Sequence, residues 1–345
     1  MTTWKVVVAG CGQMANTWIE YAREREDTEI VGLVDIRPEA ALQMADRHGL
    51  SCGLYSDLRE AIRRSGANLV FDVTTPNAHR ATSGTALEMG CHVIAEKPMA
   101  SSLTAAIELA ELSRKTGLSL SIMQNRRYLR RVRAFRDLIK SGVIGSIGFV
   151  GADFFLAPRF GGFREQMASP LILDMAIHTF DQARFITGAD PVSVTCHEWN
   201  LPGSWYTGHA SAVCTFEMSD GSVFNYRGSW SAQGFPTSWE AAWRVAGSRG
   251  TAIWDGDDRI EAESFNEAGE AKRTEASMDW DGREGHAGCL DDIFAAMAEG
   301  RPAETCAADN VKSMAMVFGA MESSRRQATV RMAPLLQEYA SYRET

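Results

Sequence analysis

The sequence has no excess of positive charge. Lysine and arginine together number 35, against 44 aspartates and glutamates, so the 345-residue chain carries a formal net charge of -9. Nucleic acids and anionic lipid surfaces attract broad basic faces, which this composition does not favour. A small-molecule ligand fits the charge balance better, and we expect neither a nucleic-acid partner nor a membrane partner.

Long apolar runs and paired cysteine motifs are also lacking. No run approaches the roughly 20 residues needed to span a bilayer. The N-terminus has no basic segment followed by an apolar stretch, and Trp4 to Gly10 instead predicts a strand leading into a turn, so we expect a cytoplasmic protein. Seven cysteines without a C-x-x-C pair favour reduced thiols over a disulfide framework or zinc site, and no metal is expected.

What the sequence does contain is enough apolar material for two cores, because 45% of its residues are hydrophobic and its length exceeds one typical domain. From residue 1 to 124, short β-rich runs alternate with helical patterns. Strands are predicted at 5–9, 29–34, 69–73, 93–95 and 118–123, and helices near 14–24, 38–48, 79–89 and 102–116. Near-continuous apolar strands separated by helices predict an α/β fold with a doubly wound parallel sheet.

After Gln124 the pattern changes to strands with few helices between them. Strands are predicted at 147–156, 192–199, 210–218, 222–230, 242–246 and 251–254, with turn signals at 219–221 and 248–250. Hairpins and an antiparallel sheet follow, so we predict a first domain over 1–124 and a second α/β domain over 125–345. Helical patterns return at 286–299 and 309–327 and are expected to pack on the existing domains.

A glycine motif follows the first predicted strand and opens a helix. Gly10-x-Gly12-x-x-Ala15, with Gln13 and Met14 in its turn, has the context of a dinucleotide fingerprint. Gly10 permits a tight turn, Gly12 lets the backbone approach a pyrophosphate, and Ala15 keeps the helix close to the sheet. The helix N-terminus offers N–H groups to the phosphates. A glycine-rich turn without a ligand is the alternative.

Asp35 ends the second predicted strand. A carboxylate there accepts hydrogen bonds from ribose hydroxyls and repels a 2′-phosphate, which favours NAD. Arg37 could instead pair with a 2′-phosphate, so NADP stays possible. A solvated residue at a helix start is the other interpretation of Arg37.

Glu96-Lys97-Pro98 closes a strand that its apolar residues predict to be buried. Lys97 therefore lies at the carboxyl edge, where open α/β sheets bind ligands. Pro98 fixes the local backbone and could adopt a cis bond. The amine of Lys97 could hydrogen-bond a reacting oxygen, and a solvated lysine paired with Glu96 is the alternative.

Asp174, His178 and Asp181 are spaced i, i+4 and i+7, which places them on one face of a helix. Apolar neighbours predict that this helix is mostly buried, where two carboxylates and an imidazole are costly. We predict that His178 is the base that removes a hydroxyl proton, that Asp174 orients the substrate or the imidazole, and that Asp181 is structural. An N-terminal carboxylate and a satisfied core histidine are the alternative.

Together these residues resemble the glucose-fructose oxidoreductase, inositol dehydrogenase and related sugar-dehydrogenase family (Gfo/Idh/MocA) over nearly the whole chain. The resemblance rests on the glycine motif, Thr75-Pro76-Asn77 with His79, Glu96-Lys97-Pro98, and Asp174-x-x-x-His178 followed by Asp181. It implies a Rossmann domain followed by an α/β domain with a large, mostly antiparallel open sheet that often mediates oligomer contacts, so a homodimer or homotetramer is expected.

The resemblance also implies NAD(P)-dependent oxidation of a sugar, cyclitol or related polyol. Lys97, Asp174 and His178 would be the catalytic group, meeting over the cofactor. The cofactor-binding residues would include Thr75, Pro76, Asn77, His79 and Glu96.

The sequence departs from the family pattern in two places. Many members carry Gly-Gly shortly before the aspartate and Gly two residues before the histidine, where this chain has Ser169-Pro170 and Ala176. His79 also follows Asn77 more closely than is usual. These differences indicate a subgroup, to which the substrates of better-known members need not transfer.

Further substrate candidates border these motifs. Arg126 and Tyr128 follow the last strand of the first domain and could contact substrate hydroxyls or a carboxylate; a solvated helix start is the alternative. Arg159 and Arg164 lie with Phe160 in a Gly-containing loop suited to covering a substrate. An ordinary surface loop is equally compatible with that pattern.

The function that these residues favour is hydride transfer between a carbinol carbon and nicotinamide, with His178 and Lys97 managing the proton. One alternative is redox-assisted glycoside cleavage that recycles a bound dinucleotide. A second is a non-catalytic dinucleotide-sensing regulator, against which the joint presence of Lys97, Asp174 and His178 counts.

Overall fold

A computed structural model describes residues 3–341, which divide into two compact units. The first unit comprises residues 3–125, 286–311 and 339–341, and the second comprises 126–285 and 312–338. The first crossing between units thus lies beside residue 124, whereas 286–311 return to the first unit. Within residues 3–341 no helix has both the length and the apolar character needed to cross a membrane.

The first unit contains a six-stranded sheet. Its strands are β1 (Trp4–Ala9), β2 (Thr28–Val34), β3 (Gly53–Tyr55), β4 (Leu69–Asp72), β5 (His92–Ala95) and β6 (Leu120–Ile122). The helices among them are α1 (Ala15–Glu24), α2 (Pro38–His48), α3 (Leu58–Ser65), α4 (Pro76–Glu88) and α5 (Leu103–Thr116). All strand pairs are parallel, in the order β3-β2-β1-β4-β5-β6, which confirms the predicted doubly wound Rossmann sheet.

Local sequence accounts for these elements. Residues 6–8 are fully buried because both faces of the sheet are covered, so the strand needs apolar side chains at every position. Ser102 accepts a hydrogen bond from the Ala105 N–H and caps α5 at its start. Gly117 ends α5 as predicted, in the left-handed conformation at φ 69°.

The second unit contains a nine-stranded sheet. Its strands are β7 (Ile147–Phe155), β8 (Pro191–Trp199), β9 (Ser211–Met218), β10 (Val223–Ser229), β11 (Ala242–Gly247), β12 (Gly250–Trp254), β13 (Ile260–Phe265), β14 (Ala271–Glu275) and β15 (Val330–Arg331). They follow the order β14-β13-β12-β11-β7-β10-β9-β8-β15. Only the β7–β10 pair is parallel among these strands, which confirms a mostly antiparallel sheet, and both predicted hairpins form.

Five further helices complete the part of the chain that the structure describes. They are α6 (Arg130–Lys140), α7 (Ile177–Thr187), α8 (Gly285–Glu299), α9 (Ala307–Arg326) and α10 (Met332–Ser341). Helices α6 and α7 pack on strands of the second sheet. Alternate residues along those strands are exposed, and Phe149, Thr215, Arg227 and Arg244 are examples of what we call the open face.

Helix α8 belongs to the first unit because its apolar face completes that core. The ring of Phe294 lies 6.3 Å from Trp4, 5.8 Å from Tyr21 and 6.3 Å from Phe71. The Tyr21 hydroxyl donates to Asp291 at 2.8 Å. Burial of an aromatic cluster of this size is worth several kcal/mol, which explains why a late segment of the chain returns to the first sheet.

Candidate active site

The cofactor candidates of the first unit meet at one edge of its sheet. Residues 10–15 follow β1, Asp35 follows β2, residues 75–77 follow β4, and Glu96 and Lys97 follow β5. The carboxyl ends of parallel strands share an edge, and ligands of open α/β sheets bind where the strand order reverses, here between β1 and β4. The structure therefore brings these residues together.

The turn after β1 uses its two glycines differently. Gly10 has φ +92°, and a Cβ there would lie 2.6 Å from the Val73 carbonyl oxygen, so only glycine fits. A Cβ at Gly12 would meet nothing within 4 Å. No side chain caps α1, whose first two N–H groups, of Ala15 and Asn16, donate to the Gly12 and Gln13 carbonyls at 3.2 and 3.3 Å. The positive end of the helix dipole still favours an anionic group at this turn. The turn fits a dinucleotide pyrophosphate, with Gln13 and Met14 exposed beside it.

Asp35 is a nearly buried carboxylate whose side chain is 10% exposed. Its Oδ2 accepts the Cys11 N–H at 2.9 Å and its Oδ1 accepts the Arg37 N–H at 2.9 Å. A carboxylate can accept about four hydrogen bonds, so about two acceptor positions are left for ribose hydroxyls. The Arg37 guanidinium is 66% exposed, with Nε 3.7 Å from Asp35 Oδ1.

A cavity of about 250 Å³ adjoins this turn. Its walls include Cys11, Arg37 and Arg47. Burial and the nearby Asp35 raise the pKa of the Cys11 thiol to about 12, so this cysteine is a packed neutral group. A larger cavity, of about 520 Å³, lies by His92 at the opposite ends of β5 and β6 and is not part of the candidate site.

His79 lies in the core of the first unit, where none of its side chain is exposed. Its Nδ1 is 3.0 Å from Asp72 Oδ1, and Ser83 Oγ donates to the other oxygen of Asp72 at 2.7 Å. His79 is buried because it lies one turn into α4, on the face that packs against β4. Thr75 and Asn77, by contrast, are exposed at the start of α4.

Glu96 is held at the end of β5 by two donors. Trp18 Nε1 donates to its Oε1 at 3.0 Å, and the Lys97 backbone N–H lies 3.2 Å from its Oε2. The Lys97–Pro98 bond is cis. Pro98 is buried and Lys97 is half-buried, so the amine starts from a strand end that is fixed on both sides.

His286 is a residue beside this strand end that the sequence reasoning did not single out. Its Nε2 lies 3.9 Å from Glu96 Oε1, and its Nδ1 lies 3.4 Å from Asn125 Nδ2. Burial is the main cause that lowers the pKa of His286, and Lys97 adds to the effect. A lone histidine at the start of a late helix carries no local signal, since only the return of α8 to the first unit places it here.

In the second unit, Asp174 lies on a π-helical turn (Leu171–Ala176) that leads into α7. The prediction of a regular α-helix is therefore wrong over that turn, because a wider i→i+5 turn changes the direction of Asp174 relative to His178. His178 is 8% exposed. Asp181 is bound by Arg127 through two contacts of 2.6 Å and by Ser313 Oγ at 2.6 Å, as fits a structural carboxylate.

Asp174 is engaged by the loop that precedes it. Arg164 Nε donates to Asp174 Oδ2 at 2.6 Å, and the two side chains are 38% and 14% exposed. The Arg164 guanidinium carbon also lies 5.3 Å from the Phe160 ring and 4.9 Å from the Phe163 ring. Two substrate candidates of the second unit, Arg164 and Asp174, are thus in direct contact.

Arg126 packs in the same unit, beside Met175, with its Nη2 3.7 Å from the sulfur. Its charge is balanced by Glu240, at 3.3 Å, and Glu240 also accepts from Gln182 Nε2 at 2.8 Å. Burial lowers the pKa of Arg126, and Glu240 opposes that effect. Arg126 therefore already has a carboxylate partner in Glu240, which does not favour it as the residue that binds a substrate carboxylate.

The remaining substrate candidates of the second unit differ in their surroundings. Tyr128 is 3% exposed, with the Arg133 guanidinium 4.7 Å from its ring, so it faces the core. Arg159 is exposed, 4.0 Å above the Trp205 ring. Lys97 belongs to the first unit and Asp174 and His178 belong to the second, so their joint action stays a prediction.

Known proteins similar to this chain were found by both sequence and structure. The chain is 28% identical over 357 residues to the uncharacterized protein y4oX of Sinorhizobium fredii, with 98% of each chain covered. It is 24% identical over 353 residues to a D-apiose dehydrogenase of Rhizobium rhizogenes, covering 97% of this chain and 99% of that one. Both relatives are thus matched over nearly their whole length.

Among solved structures, an oxidoreductase from Agrobacterium radiobacter in complex with NAD+, L-tartaric acid and magnesium matches with a TM-score of 0.85. The match has 23% sequence identity and covers 97% of this chain and 100% of that chain. At that identity the likeness shows the shared fold.

Two family models match the chain. The model of the oxidoreductase family with the NAD-binding Rossmann fold matches residues 4–124, and the GFO/IDH/MocA C-terminal domain matches residues 132–253. The six-stranded parallel sheet and the nine-stranded sheet agree with this pairing. The chain belongs to the GFO/IDH/MocA oxidoreductase family, and its first unit is the NAD-binding Rossmann domain of that family.

Proposed function

We propose that this chain is an NAD(P)-dependent dehydrogenase that oxidises a carbinol carbon of a sugar, cyclitol or related polyol. The observation that carries the proposal is the position of Lys97 at the carboxyl edge of an NAD-binding sheet, in a chain whose second unit carries Asp174 on a π-helical turn and His178 on α7, which follows it. The full-length similarity to a D-apiose dehydrogenase supports the substrate class.

The residues of the glycine turn and Asp35 would hold NAD. Bound NAD supplies the hydride acceptor, and the protein supplies position and electrostatics. Asp35 favours NAD over NADP because its carboxylate would repel a 2′-phosphate. Arg37 is exposed enough to reach such a phosphate, and this is the observation that keeps NADP as the second cofactor candidate.

In the proposed reaction His178 takes the hydroxyl proton of the substrate and Lys97 hydrogen-bonds the reacting oxygen. Asp174 orients the substrate or the imidazole, at the cost of its present contact with Arg164. A positioned acid–base group of this kind typically contributes about 10²–10⁴-fold in rate.

The test is the near-UV absorbance of reduced nicotinamide when the purified protein meets a panel of aldoses, ketoses, cyclitols and sugar acids with NAD or NADP. We expect turnover with at least one polyol and a preference for NAD. Dinucleotide binding without turnover of any panel member would favour a dinucleotide-sensing regulator instead. Cleavage of a glycoside without net reduced cofactor would favour redox-assisted glycoside cleavage.

We also propose that two copies associate through the open face of the nine-stranded sheet. The support is the width of that sheet and the exposure of Phe149, which is 39% exposed on β7, the central strand. A large aromatic side chain at the centre of an exposed sheet face is typical of an interface.

A further inference from the structure

The loop that contains Arg159, Phe160 and Arg164 precedes the π-helical turn of Asp174. One of its arginines forms an ion pair with that carboxylate. Arg164 Nε lies 2.6 Å from Asp174 Oδ2, within one unit. Asp174 is the more buried of the two, at 14% exposed, and Arg164 is 38% exposed. An ion pair with this exposure neutralises Asp174 on one side while the guanidinium still reaches solvent.

Most of the donors of Arg164 are unused. A guanidinium carries five N–H donors in a planar fork, and only Nε donates to Asp174. No other residue in the described part of the chain accepts a hydrogen bond from Arg164. Its guanidinium also lies near the rings of Phe160 and Phe163. The edge that bears the terminal nitrogens is therefore available to a ligand.

The start of the loop is anchored at the Pro158 carbonyl. Trp205 Nε1 and Tyr206 Oη both donate to the Pro158 carbonyl, at 3.1 and 2.8 Å. Glu165 turns back on its own loop and accepts the Gly161 N–H at 2.8 Å. The acidic residue of the loop is thus used within the loop, whereas Arg164 keeps free donor positions.

Electrostatics then separates neutral from anionic substrates. An unpaired Asp174 would repel a substrate carboxylate bound a few ångströms away, and a protein of net charge -9 adds to that repulsion. The ion pair with Arg164 removes the local repulsion, and the planar fork matches the two oxygens of a carboxylate.

From this geometry we propose that Arg164 determines specificity by binding an anionic group on the substrate, so that the preferred substrate is a polyhydroxy acid. This rests on the dehydrogenase function proposed above. The bound anion shares the guanidinium with Asp174 or replaces Asp174 on it, and Asp174 then turns to a substrate hydroxyl. Sugar phosphates present the same anionic chemistry and form a separate arm of the test.

The experiment compares matched pairs that differ only at C6, where an anionic carboxylate replaces a neutral hydroxymethyl group: D-glucuronate with D-glucose, and D-galacturonate with D-galactose. D-glucose 6-phosphate, with a phosphate at C6, is the phosphate arm. kcat/KM is measured with NAD for the wild type, for Arg164→Gln and Arg164→Lys, and for the exposed control Arg63→Gln on α3. The NAD affinity of each variant, measured by fluorescence titration, reports whether the first unit is intact.

We expect the wild type to prefer the acid in each productive pair. Arg164→Gln should lower kcat/KM for the acid by roughly 10–100-fold, mainly through KM, because a charge-assisted hydrogen bond is lost. The neutral partner should lose less than the acid, so that the acid-to-neutral ratio of kcat/KM falls, and Arg164→Lys should restore part of that ratio because it keeps the charge without the fork. Preference for the phosphate over the carboxylate would keep the anion site and overturn the sugar-acid assignment.

Two results separate this inference from the dehydrogenase proposal. If neutral sugars turn over as well as their acids, or if Arg164→Gln lowers both equally, Arg164 does not select charge, although the enzyme is a dehydrogenase. If nothing turns over, binding is measured by quenching of tryptophan fluorescence with the same pairs. Selective binding of the acids that Arg164→Gln abolishes would support the anion site, and equal or absent binding within every pair would overturn it.

Discussion

Lys97 is the residue on which the proposed chemistry depends most. Its backbone is fixed by the neighbouring Glu96, which is bound by Trp18, so a change of the side chain alone should leave the strand end in place. We expect Lys97→Ala to lower kcat by at least about 10³-fold because the group that binds the reacting oxygen is lost. NAD affinity should change by less than about threefold.

Steady-state kinetics and a fluorescence titration with NAD measure the two quantities. Lys140→Ala, at an exposed position on α6, is the matched control and should match the wild type in both. An equal loss of turnover and of NAD affinity in Lys97→Ala would show that Lys97 is structural.

Glu198, on β8, gives the second unit a pH-dependent stability. The residue is 7% exposed, and burial raises its pKa from 4.5 to about 7, although the Ser169 and Ser324 hydroxyls oppose the rise. The folded state therefore binds this proton more tightly than the unfolded state. The free energy of unfolding should then fall as the pH rises from about 4.5 to about 7, and stay lower above that range.

Glu198→Gln cannot ionise and should escape that loss. We expect the variant to exceed the wild type by roughly 1–3 kcal/mol near pH 8, with a smaller difference near pH 5. Urea unfolding at the two pH values measures this, with the exposed Glu267→Gln as control. A difference of the same size at both pH values would contradict the assignment to the Glu198 proton.

At the scale of elements, the turn between β1 and α1 contains two glycines for which we predict different roles, Gly10 in folding and Gly12 in cofactor binding. Gly10→Ala forces a Cβ to within 2.6 Å of the Val73 carbonyl oxygen at a positive φ, so it should destabilise the first unit by about 2 kcal/mol or more. Gly12→Ala meets no atom within 4 Å and should keep the wild-type unfolding midpoint.

Gly12→Ala should therefore fold normally, and its defect should appear in NAD binding. Gly12→Ala should weaken NAD binding by roughly 10–100-fold, because the backbone could no longer approach the pyrophosphate. Thermal unfolding and an NAD titration test the pair together. Normal NAD affinity in Gly12→Ala would show that this residue does not approach the cofactor.

Several elements with a strong local pattern were predicted from the sequence, although α3, which Asp57 caps and Gly66 ends, was not. Helix α2 was predicted with the bounds that the structure gives, because Pro38 starts it and Gly49 follows its end. Strands β13 and β14 were missed because β14 is mostly exposed and β13 carries only a short alternation of Ile260 and Ala262 with two glutamates. The π-helical turn at Asp174 also leaves no local signature.

At the scale of the whole molecule, the proposed association through the open face predicts a change of mass in solution. We expect the wild type to be at least a dimer, and Phe149→Glu to be a monomer, because burying a carboxylate where the contact now buries an aromatic ring is costly. Light scattering after gel filtration measures the mass. Leu42→Glu, at a 51% exposed position on α2, is the control and should keep the wild-type mass. A monomeric Leu42→Glu variant, or an oligomeric Phe149→Glu variant, would contradict this interface.

The sequence indicated the position of some candidate residues correctly and did not indicate the burial of others. The glycine turn, Asp35 and Lys97 lie at one sheet edge as the sequence indicated, because each directly follows a strand of a parallel sheet. His79 and Tyr128 carry polar groups suited to a ligand, yet both are buried in contacts with Asp72 and Arg133. Both partners are near in the sequence, but the burial of the two side chains depends on how the surrounding elements pack.

The sequence by itself determined the parallel sheet, its glycine turn and the candidate residues that follow its strands. These depend on backbone conformation and on apolar periodicity, which act over a few neighbouring residues. Only the tertiary structure decided that residues 286–311 complete the first unit and that Arg164 occupies Asp174. Such pairings are set by which surfaces gain most from being buried against each other, a quantity that belongs to the folded chain and not to any segment of it.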